Sequence, residues 1–226
     1  MNDAFHNEAG RPPAVPSIDL LPFRPFALMA VAVTGVAGCA ALGALTNAVN
    51  GFVSPDYFRS VLGLSQLSDI EMWRASIARG ILEGVLFGLV LSALYTAVVG
   101  ISSGARCPYL FAAAHLAGML AAALACWVVG GALALGLLAL SPEYFRQTYY
   151  PDYGPIAPYF WVGGSIWGVE YGGIFCLVVG AVLFLARWRR IVRLQQATAY
   201  SRRMPPESTN PPFIPAGGLP SEDIRR

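Results

Sequence analysis

Charged side chains are rare in the long apolar stretches of this sequence, so the few that occur there are the first candidates for chemistry. Arg79 and Glu83 stand four residues apart, on one face of any helix that carries them, and Glu170 lies inside a later apolar stretch. Ionisable groups within a bilayer are costly and by default point to function. Gathered together, these three could bind an ion or a small polar solute, or pass a proton. The plainer alternative is a structural Arg79–Glu83 pair, with Glu170 bonded to a hydroxyl or indole across a helix bundle. Thr46, Asn47 and Asn50 add hydrogen-bonding groups nearby, or cap the helix that bears them. His115 has no second His, Cys or carboxylate at ligand spacing, so it is read as a packing residue and no metal is assigned. HExxH, GxSxG and P-loop patterns are absent. Ser165, between glycines in GGSIWG, has no histidine at matching depth. The expectation is therefore no enzyme and no cofactor.

These residues need elements to position them, and the composition says which kind. Of 226 residues, 12% are charged and 56% hydrophobic, a membrane composition, and a net charge of +2 is too weak for a nucleic-acid partner. Four stretches reach the roughly 20 apolar residues that a spanning helix needs. They run from Phe26 to Asn50, Trp73 to Gly100, Pro108 to Leu140 and Tyr159 to Ala186, and none alternates as a barrel strand does. The fold class predicted is all-α, a four-transmembrane-helix bundle. Cys39, Cys107, Cys126 and Cys176 lie in or beside apolar runs and read as small core residues.

The two halves look alike. SPDYF (Ser54, Pro55, Asp56, Tyr57, Phe58) recurs as SPEYF (Ser141, Pro142, Glu143, Tyr144, Phe145), and Trp73, Gly80, Gly84 and Phe87 recur 88 residues on as Trp161, Gly168, Gly172 and Phe175. Cys39 and Gly43 likewise match Cys126 and Gly130. This predicts two parallel helical-hairpin repeats, residues 26–100 and 108–186, with both loops on one face of the membrane. Each motif reads as a short helix, with Ser as N-cap, Pro in the first turn and an acid beside it. Ser68 and Glu71 form a capping box before Trp73, whereas the second copy has the stiff turn PDYGPIAP. A stripe of small residues, including Gly80, Gly84 and Gly88, marks the second spanning helix, and Gly164, Gly168 and Gly172 mark the fourth. Such rows let backbones approach closely in lipid. The two stripes are expected to face each other, or the neighbouring hairpin, at the bundle centre.

Arginines sort the ends. Arg11, Arg24, Arg106, Arg187, Arg189, Arg190, Arg193, Arg202 and Arg203 flank one side, and Arg59, Arg74 and Arg146 the other. Both termini are then cytoplasmic, in a multi-pass protein of the cell inner membrane. Residues 1–25 read as a disordered leader, 187–203 as a basic juxtamembrane segment that continues the fourth helix, and 204–226 as a disordered tail. The segments TNAVNGFVSPDYF and LLALSPEYF resemble uncharacterised bacterial polytopic membrane proteins in which a polar helix end is followed by SPEYF. That resemblance implies a membrane location and no chemistry. Thr46, Asn47 and Ala48 stand where some of those proteins carry His, Asp and Gln. The favoured expectation is a non-enzymatic scaffold or interaction protein, oligomeric through small-residue faces or joined to another membrane protein. The rival is a small transporter or channel using Arg79, Glu83 and Glu170.

Overall fold

The computed structural model describes residues 24–149 and 155–203. The expected leader up to residue 23, the first half of the PDYGPIAP turn and the tail from residue 204 lie outside the described residues. Within them the chain is helical: α1 (Pro25–Val53), α2 (Pro55–Leu62), α3 (Asp69–Ser103), α4 (Tyr109–Leu140), α5 (Pro142–Tyr149) and α6 (Ile156–Arg203). The long helices α1, α3, α4 and α6 are apolar enough to cross a membrane, which makes this an integral membrane protein surrounded by lipid. Their outward faces carry large apolar side chains such as Leu82, Val90 and Phe175.

Each helix begins and ends for a local reason. Pro25 opens α1 and Ser54 closes it, its amide donating to Asn50 O. Ser54 then starts α2, its hydroxyl accepting from the Tyr57 amide at 3.3 Å. Gly63 ends α2 at φ +67°, a left-handed conformation that glycine adopts without strain. Arg59 folds across this turn, donating to Asp56 at 2.8 Å, to Leu67 O at 3.2 Å and to Asp69. The Ser68–Glu71 capping box is complete, so α3 starts four residues before Trp73. Gly104 ends α3 the same way, at φ +57°. α6 runs unbroken through the basic segment to Arg203, and near the start of that segment stands Trp188. It is buried, stacked on Phe184 at 6.3 Å.

Packing is strongest between α1 and α3 and between α4 and α6, with α1 touching α4 and α3 touching α6 more loosely. A Cβ on Gly43 would sit 2.1 Å from Gly80 O, and one on Gly84 would sit 2.4 Å from Cys39 O. In the other pair, a Cβ on Gly130 would meet Gly164 O at 2.4 Å, and one on Gly168 would meet Cys126 O at 2.4 Å. Backbone therefore lies on backbone in both. Gly88 and Gly172 extend the two rows, onto Cys39 and Cys126 respectively. The expectation that the stripes face each other is thus corrected: each is turned to the helix before it, α3 to α1 and α6 to α4. A further difference is one of register. Gly80 and Gly84 occupy the positions that Gly164 and Gly168 occupy in the other pair, an offset of 84 residues. The tryptophan match gave 88, one helical turn further.

The ends of the bundle are fixed by a few contacts. The Arg24 amide donates to Ala105 O at 2.8 Å, bringing the start of α1 to the turn between α3 and α4. At that end Val31, Tyr95, Val99, Cys107, Phe184 and Trp188 form the larger apolar core. The Tyr95 hydroxyl donates to Ala112 O at 3.0 Å, and Thr34 bonds Tyr109 at 3.0 Å. At the opposite end α2 lies over the bundle, with Phe58 buried against Met72 and Val162.

Candidate functional site

Below α2 the bundle contains polar groups contributed by several helices. Arg79 Nε donates to Glu83 Oε1 at 2.6 Å, one turn along α3 as the spacing requires. Both are partly exposed, at 33% and 42% of their side chains. Glu83 also lines a cavity of about 470 Å³ enclosed by α1, α3, α4 and α6. Glu170 lines the same cavity from α6. Among the described residues no hydrogen bond or salt bridge engages the Glu170 carboxylate. Glu83 and Glu170 thus line one cavity, and Arg79, though bonded to Glu83, does not line it.

α1 supplies the neutral polar groups. Thr46 lines the cavity, but its hydroxyl is spent within the helix, donating to Leu42 O at 2.9 Å. Asn47, only 5% exposed, also lines it, and its side-chain amide has no hydrogen bond among the described residues. It rests against Gly80, whose missing side chain leaves the room: a Cβ there would lie 2.8 Å from Asn47 Nδ2. Further down, Ser92 is 4% exposed and lines the cavity, with an unpartnered hydroxyl. Of the three groups expected at the end of α1, Asn50 is the one that faces elsewhere. It is wholly buried and accepts from the Ser165 hydroxyl at 3.1 Å, while its Nδ2 has no partner among the described residues. Ser76, also wholly buried, donates to Asn47 O at 3.0 Å. The Asn50–Ser165 bond between α1 and α6 was missed from sequence, where Ser165 read only as a serine among glycines.

The two SPxYF motifs are not equivalent. Tyr57 packs on the Tyr159 ring at 5.0 Å, next to Gly163 at the head of α6. Burial pushes its phenol above the ordinary value, and Tyr159, Glu170 and Glu83 add to this while Arg79 opposes it. Pro55 and Asp56 form the first turn of α2, and Asp56 holds Arg59. In the second copy Ser141, Pro142, Glu143 and Tyr144 are exposed, and Phe145 meets Phe160 at 5.1 Å. No side-chain cap at Ser141 appears among the described residues.

His115 lies at the other end of the bundle from α2, against Phe111 and Phe184, with Nδ1 2.9 Å from Phe111 O and Nε2 buried without a partner. It is a packing residue with one nitrogen satisfied, not two. Among the described residues no three His, Cys, Asp or Glu side chains gather as metal ligands, and the four cysteines are free thiols. No family model matches this chain, and neither a curated protein nor a solved structure does.

Proposed function

We propose that this chain is a non-enzymatic membrane protein that binds a small positively charged solute between its four spanning helices and carries it across the bilayer. One observation carries the reading: Glu83 and Glu170, from different helices, line a single cavity. Its size falls in the range of small-molecule sites, roughly 300–1,000 Å³. Glu170 lies exposed on an apolar spanning helix beside Trp167 and Tyr171; an ionised group without a partner at such depth is expensive, and a bound cation is the simplest compensation. In this reading Arg79 fixes Glu83, Glu170 takes the solute, Asn47 adds an amide, and Tyr57 covers the site from the SPDYF helix. The scaffold reading draws less support, because the stripes that would have served a partner are taken up by α1 and α4 within the chain.

The test is uptake of ethylammonium into proteoliposomes. Uptake above protein-free vesicles is expected, falling at least tenfold in Glu83→Gln and Glu170→Gln variants that elute and melt as the parent does. Uptake no greater than in empty vesicles, or unchanged in both variants, refutes the reading.

Two further parts of the proposal concern architecture. The chain is a tandem copy of a two-pass unit, supported by SPDYF and SPEYF and by the matching contacts of Cys39 and Gly43 with those of Cys126 and Gly130. It resides in an inner membrane with both termini cytoplasmic, supported by the arginines gathered at the end where Arg24 meets Ala105.

A further inference from the structure

The cavity is charged at one end only. Thr46, Asn47, Glu83 and Glu170 mark the end towards α2, whereas Leu91, Leu116, Leu120 and Leu177 line the rest. Opposite levels on α3, Gly80 beside Asn47 and Ser92 beside Gly35, are twelve residues apart, about 18 Å of helix rise. The cavity is therefore long, with its charge confined to one end. It also has a side opening. Leu86 on α3 and Tyr171 and Ile174 on α6 line it while remaining 57%, 63% and 48% exposed, at the seam where α3 and α6 touch loosely. That seam faces lipid.

We propose that the occupant is an alkylammonium amphiphile, which enters from the bilayer between α3 and α6 with its cationic head at Glu170 and its tail along the leucines. This rests on the proposed function and narrows its substrate class. The sign of the head follows from the lining, which holds two carboxylates and no arginine, Arg79 being engaged with Glu83 outside it. A hydrophilic ion would leave most of the wall without a partner. An alkyl chain fills it, with a driving force that is large from water and far smaller from lipid. Selectivity over neutral lipid must then come from the head. Asn47 offers it an amide oxygen, and Ser92 and Tyr95 interrupt the apolar wall along the tail.

The test uses the full chain in phosphatidylcholine vesicles with diazirine-bearing hexadecylamine, hexadecanol and hexadecanoic acid, mapping the adducts by mass spectrometry. The amine should label 83–92 and 166–177 at least fivefold more than the other two, and Glu170→Gln should remove that excess while leaving alcohol labelling unchanged. Leu120→Trp, which narrows the leucine-lined end of the cavity beside Gly38, should suppress amine labelling. Equal labelling by all three heads, or an amine excess untouched by both substitutions, overturns the proposal. Ethylammonium uptake without amine labelling removes the amphiphile and leaves the proposed function standing; loss of both removes both.

Discussion

Phe58 and Tyr144 belong to copies of one motif and differ in what covers them. Phe58 is 1% exposed between Met72 and Val162, whereas Tyr144 is 56% exposed. Phe58→Ala should cost about 3 kcal/mol and Tyr144→Ala stay within about 0.5 kcal/mol, read from denaturation in detergent. Equal losses would mean that the second copy is covered as well. The Asn50–Ser165 bond makes a second prediction. Ser165→Ala strands a buried amide and should destabilise by about 1 kcal/mol, near the average for hydrogen bonds between membrane helices. Replacing both Ser165 and Asn50, by Ala and Leu, should cost less than the two single losses added together. A double-mutant cycle measures this, and strict additivity would show that the bond contributes nothing. At this scale the sequence was informative about local pairs. Arg79–Glu83, Ser54–Tyr57 and Ser68–Glu71 all follow from spacing along one segment. Asn50–Ser165 spans 115 residues, and no spacing rule reaches it.

Among the elements, the glycine rows were legible and their partners were not. A row of small residues states that some backbone comes close, without saying which, because glycine has no side chain to discriminate between neighbours. The contacts show α3 on α1 and α6 on α4, and the register follows Cys39 and Cys126 rather than the tryptophans. Gly84→Ala should therefore cost about 1–3 kcal/mol, since the added carbon meets the Cys39 and Ala40 backbone, which cannot rotate away. Gly118 has nothing within 4 Å of its Cβ position, so Gly118→Ala should be neutral or stabilising by up to about 1 kcal/mol. Thermal unfolding of the pair in detergent checks both signs. A stabilised Gly84→Ala would show that α1 and α3 are further apart than described.

For the whole molecule, hydropathy located all four spans because lipid selects on length and apolarity alone, properties of a continuous segment. The cavity was not legible, since it arises from the loose approach of α3 to α6, and loose packing leaves no pattern in either helix. Its two carboxylates and the α1 polar groups were nevertheless named from sequence, whereas Ser92, Tyr95 and Tyr171 were not. The contacts of Tyr57 with α6 and of Arg24 with Ala105 place α2 and α5 at one end of the bundle, and the turn before α4 at the other. Asp56→Cys and Glu143→Cys, in a background where the native cysteines are alanine, should react with an impermeant maleimide from the same side of sealed vesicles. Reaction from opposite sides would break both the shared polarity and the tandem-copy origin.

The unbroken course of α6 has a mechanical consequence. Thirty-three residues separate Glu170 from Arg203, about 50 Å of rigid rod. A tilt of about 5° pivoting near Glu170 would sweep Arg203 through about 4 Å. A helix of this length would magnify any widening of the seam beside α3 into a larger displacement at its far end, which a fluorophore at Gln196 would report.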